Sequence, residues 1–365
     1  MDPRIESHAE LLVDHCTDIG PGDMVGVNAP AVAEPLEVAL YEKIGARGGI
    51  PVGLSLPARA TRAFAEAIDA DDLETSAHAL AFLEACDVFI GIRGGENVAE
   101  MSGMDPEDMQ AFAKVNEPLQ DAQMNTDWVG TQYPAPGRAQ KAEMGTDDYQ
   151  DFVWNAIDKD WAEQREFQAQ MAELLDAGDE VRIVAGDETD LRMRTGDNPV
   201  KNDDGRTNLP GGEVFTAPIP DSVEGTVCFD KPVLSQGREV RGASLELEDG
   251  EVVAHDADQH ADVLAAALDT DDGARRVGEL GIGMNRDIDR FTYNMLFDEK
   301  MGDTIHLALG RAYEDTVAEG NEQNRSAIHK DMIVDMSEDS YIEVDGEPVQ
   351  RNGTFVFEDG FEDEP

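Results

Sequence analysis

Five residues in the second half of the chain have the types and spacing to do chemistry: Glu213, Glu279, His306, His329 and Asp331. Only seven histidines occur in 365 residues, so two of them in apolar, strand-like runs beside carboxylates is a selective use of a scarce side chain. Imidazole and carboxylate without thiol is a ligand set for Zn, Mn, Co or Fe, not for a structural zinc knot. His329 and Asp331 are two positions apart; on a strand they share a face, where both can grip one ion or Asp331 can span two. Taken singly, each residue has a plainer explanation. Glu213 could be an ordinary turn acid, and a lone strand histidine is commonly a hydrogen-bonded core residue. Taken together, they point to a hydrolytic metal site holding two ions.

Elements must bring these residues together. The run Asn208-Leu209-Pro210-Gly211-Gly212-Glu213-Val214-Phe215-Thr216 is a Pro-Gly-Gly break followed by a strand, with Glu213 at the strand's mouth, where backbone can approach a ligand closely. In Gly278-Glu279-Leu280-Gly281-Ile282-Gly283 the carboxylate lies between glycines, and an expected helix over 273–280 puts it at a helix end. The glycine pattern is superficially that of a phosphate loop, but a helix precedes it and no strand does. Gly91-Ile92-Arg93-Gly94-Gly95 does follow a strand, yet lacks the spacing of a dinucleotide loop. Thr304–Gly310 reads as a strand around His306, and Ser326–Val334 as another around His329 and Asp331. His8 and His15, seven apart on the first helix, are expected on its surface or at a subunit contact, and His78, His255 and His260 in solvent.

The first half alternates helix and strand. Helices are expected at 4–17, 34–47, 58–69 and 72–85, and strands at 24–27, 50–56, 88–92 and 128–133. Short apolar strands separated by helices imply a parallel sheet covered on both faces. Residues 147–176 read as one long amphipathic helix. From about Glu180 strands dominate, with hairpin signals at Glu248-Asp249-Gly250 and Asp345-Gly346 and a helix near 258–268. The expected fold class is α/β: an N-terminal parallel-sheet α/β domain (1–176), then a mixed, largely antiparallel α+β catalytic domain (180–365), ending in an acidic tail over 358–365.

Composition limits the partners. The chain has 79 acidic and 28 basic residues, net −51, and only eight of the bases are lysine. The acids are spread through apolar, periodic segments, which a disordered acidic tail lacks. A carboxylate-covered, lysine-poor surface is expected of a halophilic protein and argues against nucleic acid as a partner. Cys16, Cys86 and Cys228 form no CxxC and imply no disulfide framework. The start, Met1-Asp2-Pro3-Arg4-Ile5-Glu6, has no basic-then-apolar leader, and no run reaches the roughly 18 apolar residues of a membrane helix. A soluble cytoplasmic protein with no membrane partner is expected.

The segments NLPGGEVFTAP, GELGIG, TIHLALGRAY and NRSAIHKDMIVDM, in this order, closely resemble the thermophilic-type metallo-aminopeptidases, the family of aminopeptidases T and S. The likeness extends through QYPAPGRAQKAEM and VWNAIDKDW, and so over nearly the whole chain. It implies a homodimeric exopeptidase that removes N-terminal amino acids from short peptides with two divalent cations, Zn2+ or Co2+, with Mn2+ as a further candidate. Matched motif by motif, it implies Glu213, Glu279, His306, His329 and Asp331 as metal ligands and Tyr313 as the active-site tyrosine. Asp303 stands where a glycine is common in the family, and the stretch from Tyr313 to His329 is shorter than in many relatives.

The implied chemistry is hydrolysis by metal-activated water, with Glu279 as ligand, proton acceptor or both, and Tyr313 donating to the tetrahedral oxyanion. Two other classes use the same residue types. A mononuclear Fe(II) oxygenase needs two histidines and one carboxylate, but in the His-x-Asp order a distal histidine should follow, and none lies after His329. A non-enzymatic acidic protein would merely hold hydrated cations.

The acidic surface has a direct consequence. Like charges act over ~30 Å at 0.01 M salt but only ~3 Å at 1 M, so unfolding temperature should rise with KCl, and the rise should survive in chelated protein. A flat curve from about 0.05 to 2 M KCl would show that the acidic surface is not an adaptation to salt.

Overall fold

The computed structural model describes residues 2–362 except 56, 70, 71, 105, 236 and 237. Leu56, at the end of one expected strand, and the last three residues of the expected acidic tail lie outside that range. The chain divides into two compact units, residues 1–159 with 205–211, and 160–204 with 212–365.

In the first unit five parallel strands lie in the order Ile50–Gly53, Met24–Asn28, Val88–Arg93, Asp127–Gln132, Asn208–Leu209. Val25, Val27, Ile90 and Val129 are buried, as a sheet covered by helices requires. Helix Glu34–Arg47 turns its Leu36, Leu40 and Ile44 inward at helical spacing and ends at Gly48, whose φ of +84° suits a left-handed cap. The parallel α/β architecture expected from the strand-helix alternation is therefore present.

Two details differ. The expected helix over 147–176 is two helices, Thr146–Ile157 and Trp161–Ala177. Asp160 starts the second by accepting hydrogen bonds from the Ala162 and Glu163 N–H groups at 3.0 and 3.1 Å. The Asp-x-x-Glu spacing of Asp160 and Glu163 was the legible signal. His8 is not on the surface of helix Pro3–Leu11 but 1% exposed. Thr131 directs its hydroxyl hydrogen at the Leu209 carbonyl (2.8 Å), so the His8 Nε2–H donates to Thr131 Oγ1, also at 2.8 Å.

The second unit stacks two antiparallel sheets. One runs, in spatial order, Glu251–Asp256, Ala243–Glu248, Glu224–Phe229, Thr189–Arg194, Glu180–Ala185, Ser340–Val344, Glu347–Arg351, Thr354–Phe355. Both expected hairpin turns are there, with positive φ at Asp249, Gly250, Asp345 and Gly346. The other sheet runs His329–Asp335, Thr304–Gly310, Val277–Gly283, Glu213–Thr216, Lys201–Asp203. Val181, Ile183, Leu191 and Val227 from the first pack in one core with Val214, Leu280, Ile282, Ile305, Leu307 and Val334 from the second.

The expected helix over 273–280 is absent. Asp272–Arg275 is a single 3-10 turn, and Val277–Gly283 is the central strand of the five-stranded sheet. Three glycines in seven residues depress strand propensity, so the sequence hides the strand, while in the structure they mark close approach of neighbouring atoms.

Buried His8 is held neutral: burial lowers its pKa from 6.5 to about 3. The unfolded chain binds a proton below pH 6.5 and the folded chain does not, so stability is lost as pH falls from about 6.5 towards 3. The stability gap between wild type and His8→Asn, measured by urea unfolding, should narrow through that window by up to ~1.4 kcal/mol per pH unit. A gap independent of pH would contradict the buried neutral state.

Candidate metal centre

Strand alternation explains why one sheet carries both a core and a chemical face. In Val277–Gly283, Leu280 and Ile282 face the core; Glu279, Gly281 and Gly283 face the other way. In Thr304–Gly310, Ile305, Leu307 and Leu309 face the core, leaving Thr304, His306 and Ala308 opposite. Register aligns these second sets. Ala308 stands between Glu279 and Asp331, Gly281 is opposite His306, and Glu213 is opposite Gly283. All five candidate ligands thus project from one face, where glycine and alanine leave room for them.

Two glycines are indispensable to this arrangement. Gly281 lies under the His306 ring: a Cβ there would come within 2.0 Å of His306 Cε1. Gly212 has a φ of +120°, and a Cβ on it would meet the Asn285 Cβ at 2.4 Å, so only glycine can deliver the next residue, Glu213, to the sheet. Asp303 has a φ of +58°, in the region that favours glycine.

Glu279, His306 and Asp331 offer ligand atoms within 4.8 Å of one another. His306 Nε2 lies 3.1 Å from Glu279 Oε1 and 3.4 Å from Glu213 Oε2. His329 Nε2 lies 3.3 Å from Asp331 Oδ1, and its Nδ1–H donates to the Arg311 carbonyl at 2.7 Å, which orients the ring and leaves Nε2 for the site. Tyr313 tilts its ring over His329, centroids 4.7 Å apart, and meets Phe215 edge-on at 6.5 Å; it remains 38% exposed.

Lys300 was missed in the sequence. Its ammonium is buried, 2.9 Å from Glu213 Oε1 and 3.4 Å from Asp203 Oδ2, and it also contacts Glu299 Oε1. A lysine kept in so lysine-poor a chain was the available signal.

The residues fit a cation. Glu213 Oε2, Glu279 Oε2 and Asp331 Oδ1 are buried without a hydrogen-bond partner among the described residues. Burying such oxygens without a hydrogen bond is costly, and a divalent ion would satisfy them. The electrostatics agree. Burial, against the charges of Lys300 and His306, pushes Glu213 up to about 8. Burial opposes the charge on His306, but its hydrogen bond to Glu279 and the charges of Glu213, Glu279 and Asp331 prevail and raise it to about 10. His329 is raised to about 9, where the Asp331 carboxylate outweighs burial. Asp331 is held below its ordinary value by His329 and His306 in spite of burial. Burial also raises the Tyr313 phenol, which therefore stays a neutral donor. Without a cation, protons take the places that metal would fill.

A profile of the thermophilic metalloprotease (M29) family matches residues 1–361. The chain belongs to that family. Among its relatives, aminopeptidase 2 of Geobacillus stearothermophilus is 36% identical over 41% of this chain and 40% of its own length. Aminopeptidase T of Thermus aquaticus is 34% identical over the same shares. The chain thus spans 40% of the length of these curated relatives. Aminopeptidase PepS of Streptococcus thermophilus is 26% identical over 97% of this chain and 98% of its own. The solved structure of AmpT from Thermus thermophilus shares the fold with a TM-score of 0.85 at 23% identity, covering 97% of this chain and 99% of that one. A 2,5-dihydroxypyridine dioxygenase from Pseudomonas putida KT2440 shares it with a TM-score of 0.62 at 14% identity, over 98% and 99%. As a member of a metalloprotease family, the chain is expected to use metal.

If His306 is a ligand, Gly281→Ala should displace its ring and weaken Co2+ binding, measured by calorimetric titration, about 10- to 100-fold. Unchanged affinity would remove His306 from the ligand set.

Proposed function

We propose that the protein is a metal-dependent aminopeptidase that removes N-terminal amino acids from short peptides. The observation that carries this reading is the convergence of Glu279, His306 and Asp331 within 4.8 Å in a chain of a metalloprotease family. Two divalent ions per chain, Zn2+ or Co2+ with Mn2+ as a further candidate, would be held by Glu213, Glu279, His306, His329 and Asp331. Bound there, they would supply Lewis acidity, polarising the scissile carbonyl and lowering the pKa of water towards ~7.

The protein's own groups have distinct parts. Glu279 has one oxygen on His306 and the other without a hydrogen bond, which suits it to accept a proton and pass it to the leaving amine. Tyr313, neutral and accessible, donates to the oxyanion of the tetrahedral intermediate. Carboxylates around the site attract the substrate's α-ammonium, which restricts cleavage to the first residue. A homodimer is the expected assembly.

The fold shared with a dioxygenase leaves the chemistry to the site. Two imidazoles with three carboxylates exceed the donors of a single open 2-His-1-carboxylate triad, which favours the two-ion hydrolase.

Purified protein should release N-terminal residues from short peptides, leave N-acetylated ones intact, lose activity to chelator and regain it with Co2+ or Zn2+. Tyr313→Phe should lower kcat on the order of 10²-fold with metal content unchanged. Cleavage that survives exhaustive chelation would sink the mechanism, and a fully active Tyr313→Phe enzyme the role of the tyrosine.

A further inference from the structure

A buried lysine among carboxylates is expensive unless its charges are matched, and this chain has eight lysines against 20 arginines. Lys300 is placed by a firmly held loop. Its N–H donates to the Phe297 carbonyl (3.0 Å), and its own carbonyl accepts from the Asn285 N–H (3.1 Å). Next to it, buried Asp298 accepts from the Thr292 N–H and hydroxyl and from the Asn294 N–H at 2.7–2.8 Å. The ammonium therefore reaches Glu213 from fixed backbone.

That contact makes the two Glu213 oxygens unequal. Oε1 is on the ammonium at 2.9 Å, while Oε2 is 3.4 Å from His306 Nε2 and has no hydrogen-bond partner among the described residues. An arginine fork would favour taking both oxygens of a carboxylate, whereas an ammonium is a point charge that can hold one. This accounts for lysine at this position in a chain that elsewhere prefers arginine.

We propose that Lys300 is a positioning residue: a built-in cation that holds Glu213 by one oxygen, keeps the other turned to the metal centre, and offsets the like charges of the site before a metal ion arrives. The inference rests on Glu213 being a metal ligand, as proposed above.

The test compares unfolding temperatures of wild type and Lys300→Met in chelator and in saturating Co2+. In metal-free Lys300→Met, Glu213 loses the ammonium on its Oε1 and keeps only the more distant His306 ring, whereas Co2+ replaces much of the lost charge. The Co2+-dependent rise should therefore exceed that of wild type by at least ~5 °C. Adding Glu213→Gln to Lys300→Met should recover stability in chelator, because the uncompensated carboxylate is gone. That recovery decides the matter even if Lys300→Met alone does not fold. An equal fall with and without Co2+, or no recovery in the double variant, would reduce Lys300 to core packing and overturn the proposal. If Co2+ leaves wild type unchanged, the metal centre itself fails, and this inference with it.

Discussion

Carboxylates of like charge crowd onto one face of an antiparallel sheet, and the rest of the second unit is arranged around that electrostatic strain. Glu213, Glu279 and Asp331 are largely withdrawn from water and gain only partial relief from His306, His329 and Lys300. A low-dielectric setting raises the cost of each unpaired oxygen and, equally, the value of any cation that enters. The opposite face of the same strands can then be largely apolar, because strand alternation keeps the two environments apart. Core and chemistry are two sides of one period-2 pattern.

Much of this was legible in the sequence where the pattern was regular. His306 sits in a strand whose apolar neighbours alternate in the usual way, His329 and Asp331 lead into the apolar run Met332-Ile333-Val334, and Glu213 follows a Pro-Gly-Gly break. The parallel first half was readable because its helices and strands have conventional lengths and stops. The element that carries Glu279, expected as a helix over 273–280, was the failure. Its strand is broken by glycines that exist to admit the His306 ring and neighbouring backbone, so local propensity pointed away from the tertiary answer. Lys300 and His8 were missed for a related reason. A buried lysine or histidine is defined by partners far away in sequence, and nothing beside it announces them.

The fold alone does not choose the reaction, since a dioxygenase shares it at a TM-score of 0.62. What separates the possibilities is the donor set, and how many ions it holds. Family membership supports a metalloprotease; the number of ions belongs to the proposal. The acidic surface is a separate matter. It concerns the medium in which the protein is stable, whereas the buried acids on the sheet concern its chemistry.

The most direct test of the central claim is a count of ions per chain by native mass spectrometry, after loading with Co2+ or Zn2+ and removal of excess. The account predicts two divalent ions on wild type and loss of bound metal in His306→Ala. A single iron per chain in protein isolated without added metal, or an unchanged count in the variant, would contradict it.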